Sequence, residues 1–188
     1  MTDLQPMFWP LVLAVVLTGV AAIWDLRTGL IPNRLVAVGA IAVILLTVSV
    51  AAPRGMVAVG TAGLSMLSGL VLVSLVPLLL YRLDGIGGGD VKLLAVVGAA
   101  LGPYLGMEAE LYAFASVVLY APARLLFEGK LIKSLRTTGL LIVRPLVPRH
   151  RRAEPAKLEE LTAFRFGPAI FAGTLAVVML RWAERGLT

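Results

Sequence analysis

Apolar residues fill this chain in long blocks, with the polar positions gathered between blocks rather than alternating inside them. Three blocks, at residues 4–24, 35–53 and 55–81, contain no charged side chain. Each reaches the roughly 20 residues a helix needs to cross a bilayer at about 1.5 Å per residue. Three shorter blocks follow at 93–107, 111–123 and 166–180. They become long enough when Lys92, Arg124, Arg165 and Arg181 at their ends reach out to the interface. The pattern predicts an all-α, polytopic bundle of about six transmembrane helices forming one membrane-embedded domain over residues 1–188. Pro103 and Gly106 are expected to separate the fourth helix from the fifth, with Glu108 and Glu110 in a polar turn. Pro77 is expected to kink the third helix near its end. Gly98, Gly102 and Gly106 recur at spacing four, as do Ala169 and Gly173, and such positions let helix backbones approach closely in lipid.

Composition agrees with this pattern. Of the 188 residues 59% are hydrophobic and 15% charged, with a mean hydropathy of +0.93. Soluble domains carry about a quarter charged residues, so lipid must cover much of this surface. There is no cysteine and a single histidine, His150, in a basic run. Disulfides, thiolate nucleophiles and Cys- or His-rich metal sites are therefore not expected, and no cofactor is. The net charge of +6 reads as membrane topology and attraction to anionic lipid rather than as nucleic-acid binding. Residues 1–8 hold Asp3 and no Lys or Arg, unlike the start of a cleaved signal, so the first block is expected to stay as a helix.

With six spans, one set of loops takes all 17 Lys and Arg except Arg54, Arg181 and Arg185. The positive-inside rule then puts those loops in the cytoplasm and both termini outside, in a multi-pass inner-membrane protein. The long basic segment at about 127–165 is expected to hold an interfacial helix, with Leu131, Ile132, Leu135 and Ile142 set against Lys133, Arg136 and Arg144. Its run Arg149, Arg151 and Arg152 suits contact with anionic lipid.

Two acids stand apart from the rest. Asp25 follows the first charge-free block, and Asp90 follows Gly87-Gly88-Gly89 at the start of the fourth helix. The expected topology puts both at one depth of the cytoplasmic face, where a carboxylate at a membrane helix end has a task or a partner. Structural readings exist for each. Asp90 can serve as a helix N-cap, Asp25 as an interfacial anchor paired with Arg27, and Asp84 as a loop acid beside Arg82. Two neighbouring carboxylates also suit peptide hydrolysis: one activates water as a base while the other protonates the leaving amine. Such a pair titrates as a unit. The glycines before Asp90 suit a sharply bending backbone that a peptide strand can approach. Another class of function, a small transporter using Asp25 and Asp90 as proton or cation sites, is disfavoured because both acids sit at one face and no inverted repeat is visible. A non-enzymatic assembly subunit is a third reading.

The residues around the two acids carry a resemblance. Asp25-Leu-Arg-Thr-Gly-Leu-Ile-Pro-Asn33 and Gly87-Gly-Gly-Asp-Val-Lys92 together resemble the type IV prepilin peptidases, GxGD intramembrane aspartyl proteases with an Asp shortly before Ile-Pro-Asn and then Gly-x-Gly-Asp-x-Lys. Phe166-Gly167-Pro168-Ala169-Ile170 with Gly173 looks like the family's last helix. The resemblance implies removal of a short basic leader from type IV pilin-like precursors at the cytoplasmic face. It carries Asp25 and Asp90 over as the catalytic pair, with Gly87, Gly89, Lys92, Pro32 and Asn33 in support. Pro32 and Asn33 are expected to shape the turn and start the second helix. The larger bifunctional members bear an added N-terminal cysteine motif and also methylate the product. This chain lacks cysteine and has only about eight residues between its first two spans, so its shape resembles the short, peptidase-only group of Flp-type tight-adherence pili, or the archaeal preflagellin peptidases, and methyl transfer is not expected.

Overall fold

Backbone N–H and C=O groups find no water inside a bilayer, so apolar blocks of this length must satisfy them internally as helices. The computed structural model describes residues 5–83, 85–127 and 165–186, and among these there is no strand. The helices are α1 (Gln5–Thr28), α2 (Asn33–Ala51), α3 (Met56–Arg82), α4 (Gly88–Phe127) and α5 (Gly167–Gly186), with a short 3-10 turn at Ala52–Arg54. Four stretches are long and apolar enough to cross a membrane: Phe8–Thr28, Asn33–Arg54, Met56–Arg82 and Gly88–Tyr120. The chain is thus an all-α, multi-pass membrane protein. Asp84 and the basic segment from 128 to 164, including its expected interfacial helix, lie outside the described residues. Contacts divide the chain into two units, Met1–Ser116 with Arg165–Thr188, and Val117–Phe164. The second is described only as the last turns of α4.

Local signals end the helices where the chain must turn. Gly29 follows α1 in the left-handed region at φ 70°, where its missing Cβ removes the steric cost, and its N–H reaches the Asp25 carbonyl at 2.8 Å. Pro32, at φ −65° and ψ 131°, then caps α2. It therefore sits just outside the helix rather than at the first helical position expected for it. Its carbonyl accepts the N–H groups of Leu35 and Val36.

Small residues set the packing. Gly69 of α3 lies against Gly98 of α4 so closely that a Cβ on either would run into the other's backbone carbonyl. Gly102 carries the non-helical angles φ 76° and ψ 177°. A Cβ on Gly106 would stand 2.9 Å from the Gly98 Cα, whereas eight residues of straight helix separate such positions by about 12 Å. The chain therefore reverses at Gly102, and α4 has two limbs, of which residues 88–101 and 103–116 run antiparallel. The break expected around Pro103 and Gly106 falls at Gly102, one residue before Pro103, where a glycine takes the positive φ that the reversal uses.

The second limb packs along α5. Gly173 meets Ala109 and Ala113, Phe114 stacks on Phe166 at 5.4 Å, and Glu108 pairs with Arg181 at 2.6 Å. α1 runs antiparallel to α5 on another side, from Phe8 near Trp182 through Gly19 beside Phe171 to Asp25 beside Gly167.

Glu108 and Glu110 do not form the expected turn. Both lie within the second limb of α4, where Glu110 is 7% exposed and its Oε1 has no hydrogen-bond partner among the described residues. A buried oxygen left unpaired costs about 1–3 kcal/mol. Glu110→Met, which keeps length and removes that cost, is expected to raise the thermal midpoint of the detergent-solubilised protein; an unchanged or lower midpoint would show that Glu110 is held by favourable contacts.

Candidate active site

Asp25 occupies the last turn of α1, the end at which unpaired carbonyls make a helix unfavourable for a negative charge. It is nevertheless only 5% exposed. The compensation comes from across the bundle. α5 begins at Gly167, and the first N–H groups of a helix have no partner within it. The Gly167 N–H donates to Asp25 Oδ2 at 2.9 Å. The contact requires glycine, since a Cβ at 167 would stand 2.9 Å from both the Cβ and Oδ2 of Asp25. Arg27 is exposed, and among the described residues no ion pair joins it to Asp25.

Asp90 is placed by the start of α4. Gly87 is the cap: its carbonyl accepts the N–H groups of Asp90 at 3.1 Å and Val91 at 3.3 Å. Asp90 is then the third helical residue rather than the cap itself. Its Oδ2 folds back to accept the Gly87 N–H at 3.2 Å, one half of a capping box whose other half a glycine has no side chain to supply. The three glycines are needed for space rather than for unusual angles, since none of them has a positive φ. A Cβ on Gly87 would come within 3.0 Å of Asp90 Oδ2, on Gly88 within 3.3 Å of the Tyr81 ring, and on Gly89 within 3.1 Å of the Ile31 Cβ. The neighbours these glycines admit are thus the protein's own residues.

A second tie holds the two motifs together. Asn33 opens α2, and its Oδ1 accepts a hydrogen bond from Lys92 Nζ of α4 at 2.8 Å. With Ile31 seated on Gly89, this fixes the turn after Asp25 against the first turn of α4. Asp25 and Asp90 fall within electrostatic range of each other. Asp25, Pro32, Asn33, Gly87, Gly89, Asp90 and Lys92 are therefore brought to one place.

Each carboxylate has one oxygen anchored by a backbone N–H, and no hydrogen bond engages the other oxygen among the described residues. Asp25 is buried and Asp90 half-buried, one in a packed wall and the other nearer the surface. Two acids so held can pass protons to and from a molecule between them without an ordered metal. Reading the sequence alone leaves two participants without a role: Gly167, as the donor to Asp25, and Ile31, as the residue filling the space beside Gly89. The signal for the first is Pro168 directly after it, since proline in a first turn marks a helix start with its N–H groups facing outward.

A model of the type IV leader peptidase family matches residues 11–122. The matched region holds both aspartates and both motifs, and ends before α5. No curated protein and no solved structure matches the chain.

Proposed function

This chain belongs to the type IV leader peptidase family, and from that footing we propose that it is an intramembrane aspartyl endopeptidase acting on type IV pilin-like precursors. Asp25 and Asp90 form the catalytic pair, and cleavage removes the short basic leader just before the precursor's apolar helix. The observation that carries this reading is the tie of Lys92 to Asn33, with Ile31 against Gly89, between the turn that follows Asp25 and the first turn of the helix that bears Asp90, 65 positions on. The excess of Lys and Arg in the loops on that side supports a cytoplasmic placement in the inner membrane, and the basic residues between 127 and 165 supply contacts for anionic lipid.

The chemistry follows from the anchored geometry. One carboxylate takes a proton from water as the water oxygen bonds to the scissile carbonyl carbon. The other, as a carboxylic acid, gives its proton to the amide nitrogen as the C–N bond breaks, leaving a free amine on the mature pilin. The two roles require one acid ionised and the other protonated when the water attacks. Anchoring Oδ2 of each acid fixes where the remaining oxygens point, so positioning is done before substrate arrives. Gly87, Gly89, Pro32, Asn33 and Lys92 act through that placement.

Co-expression with a precursor bearing a basic leader and an apolar helix tests the assignment. The expected product starts at the apolar helix. Persistent full-length precursor beside normally accumulating protein would end this reading.

Lys92→Ala and Asn33→Ala are each expected to slow cleavage about fivefold, the loss of one ordinary hydrogen bond's worth of positioning. The double variant is expected to be no slower than the weaker single one. Multiplying losses would mean that the two residues act separately.

A further inference from the structure

Serine and threonine in a membrane helix usually spend their hydroxyl proton on a backbone carbonyl three or four residues earlier. Every described Ser and Thr here does so except Thr47 and Ser65, which have no hydrogen-bond partner among the described residues. Both line one half-open cavity of about 470 Å³ between α1, α2, α3 and the Gly102 reversal. The rest of its wall is mainly apolar, with Leu11, Met66 and Leu105 among its residues, and Arg54 joins it at the turn between α2 and α3. Arg54 donates one hydrogen bond, to the Val50 carbonyl at 3.3 Å, and has no acidic partner among the described residues. Most of its five N–H donors are left uncommitted.

The cavity is remote from the acids. Asn33, at the dyad end of α2, and Arg54 are separated by 21 residues of nearly continuous helix, roughly 30 Å, or one hydrocarbon thickness. The cavity therefore opens at the opposite interface. Its volume falls in the range of about 300–1,000 Å³ usual for ligand pockets, and its open side lets the rest of a larger amphiphile lie outside it in the bilayer.

We propose that this cavity binds an anionic phospholipid. The phosphate pairs with Arg54, an ester or headgroup oxygen accepts from Thr47 and Ser65, and an acyl chain covers Leu11, Met66 and Leu105. An anionic rather than a zwitterionic headgroup follows from a lone cation with no described acid nearby. The site stands apart from the peptidase reading, and its test needs no substrate.

The experiment follows the thermal midpoint of the purified full chain in detergent as phosphatidylglycerol, phosphatidylcholine or inorganic phosphate is added. Phosphatidylglycerol is expected to raise the midpoint of the wild type by mass action, while the other two leave it unchanged. Arg54→Ala is expected to raise the half-saturating phosphatidylglycerol concentration about tenfold, the loss of one charge-assisted contact. The double variant Thr47→Val, Ser65→Ala is expected to shift it in the same direction, and it decides the matter if Arg54→Ala does not accumulate. Equal stabilisation by phosphatidylcholine would assign the cavity to any acyl chain and overturn the proposal. A phosphatidylglycerol response unchanged in both variants would assign that lipid to the basic segment and overturn it as well.

Discussion

Asp25→Asn and Asp90→Asn are each expected to slow leader cleavage by at least about a thousandfold while the protein accumulates normally in the membrane. Asparagine keeps the shape and one acceptor oxygen. The Gly167 N–H at position 25 and the Gly87 N–H at position 90 therefore retain partners, and the fold has no reason to fail. What is lost is the exchangeable proton, and with it general acid or base catalysis worth roughly 10²–10⁴ in rate for one group. Because the two acids act as a unit, the double variant is expected to be little slower than either single one. The measurement is the initial rate of precursor conversion per unit of immunodetected enzyme. A single variant that keeps more than a tenth of the rate removes its residue from the pair.

That prediction is reachable from the sequence because its signals are local. Asp25 and Asp90 each lie next to an apolar block on the side expected to be cytoplasmic, which marks them as candidates, and the residues around them narrow the choice. The motifs around them sit within nine residues, so the spacing itself is informative. The long-range pairings are not legible in this way. Gly69 gives no sign within α3 that its partner is Gly98, since a small residue shows only that something approaches, not what. The reversal at Gly102 is blurred for the same reason: Pro103, Gly106 and two glutamates nearby all read as breakers. Only the positive φ at Gly102 and the burial of Glu110 decide among them. The capping role expected of Asp90 is near the truth but displaced, because the three preceding glycines leave open which of them begins the helix.

Gly167→Ala is expected to lower kcat about a hundredfold with a much smaller change in KM and a modest fall in thermal midpoint. The added methyl does not strain the backbone, since the φ of Gly167 is not in the left-handed region, and alanine is a better helix former than glycine. The new carbon would lie 2.9 Å from the Cβ and Oδ2 of Asp25 and 3.2 Å from its Cγ, and because that Cβ is fixed to the backbone, α1 and α5 must part slightly as the carboxylate moves. Relaxed carbon contacts lie at about 3.5–4.0 Å, so Asp25 and the end of α1 that carries it must retreat by a sizeable fraction of an ångström. A displacement of about 1 Å in a catalytic group is enough to cost 10²-fold. Gly87→Ala makes the useful contrast: its Cβ would meet only the Oδ2 of Asp90, at 3.0 Å, the far end of a side chain that can swing away, so a milder loss is expected there. If Gly167→Ala kept wild-type kcat, Asp25 would not owe its working position to the start of α5.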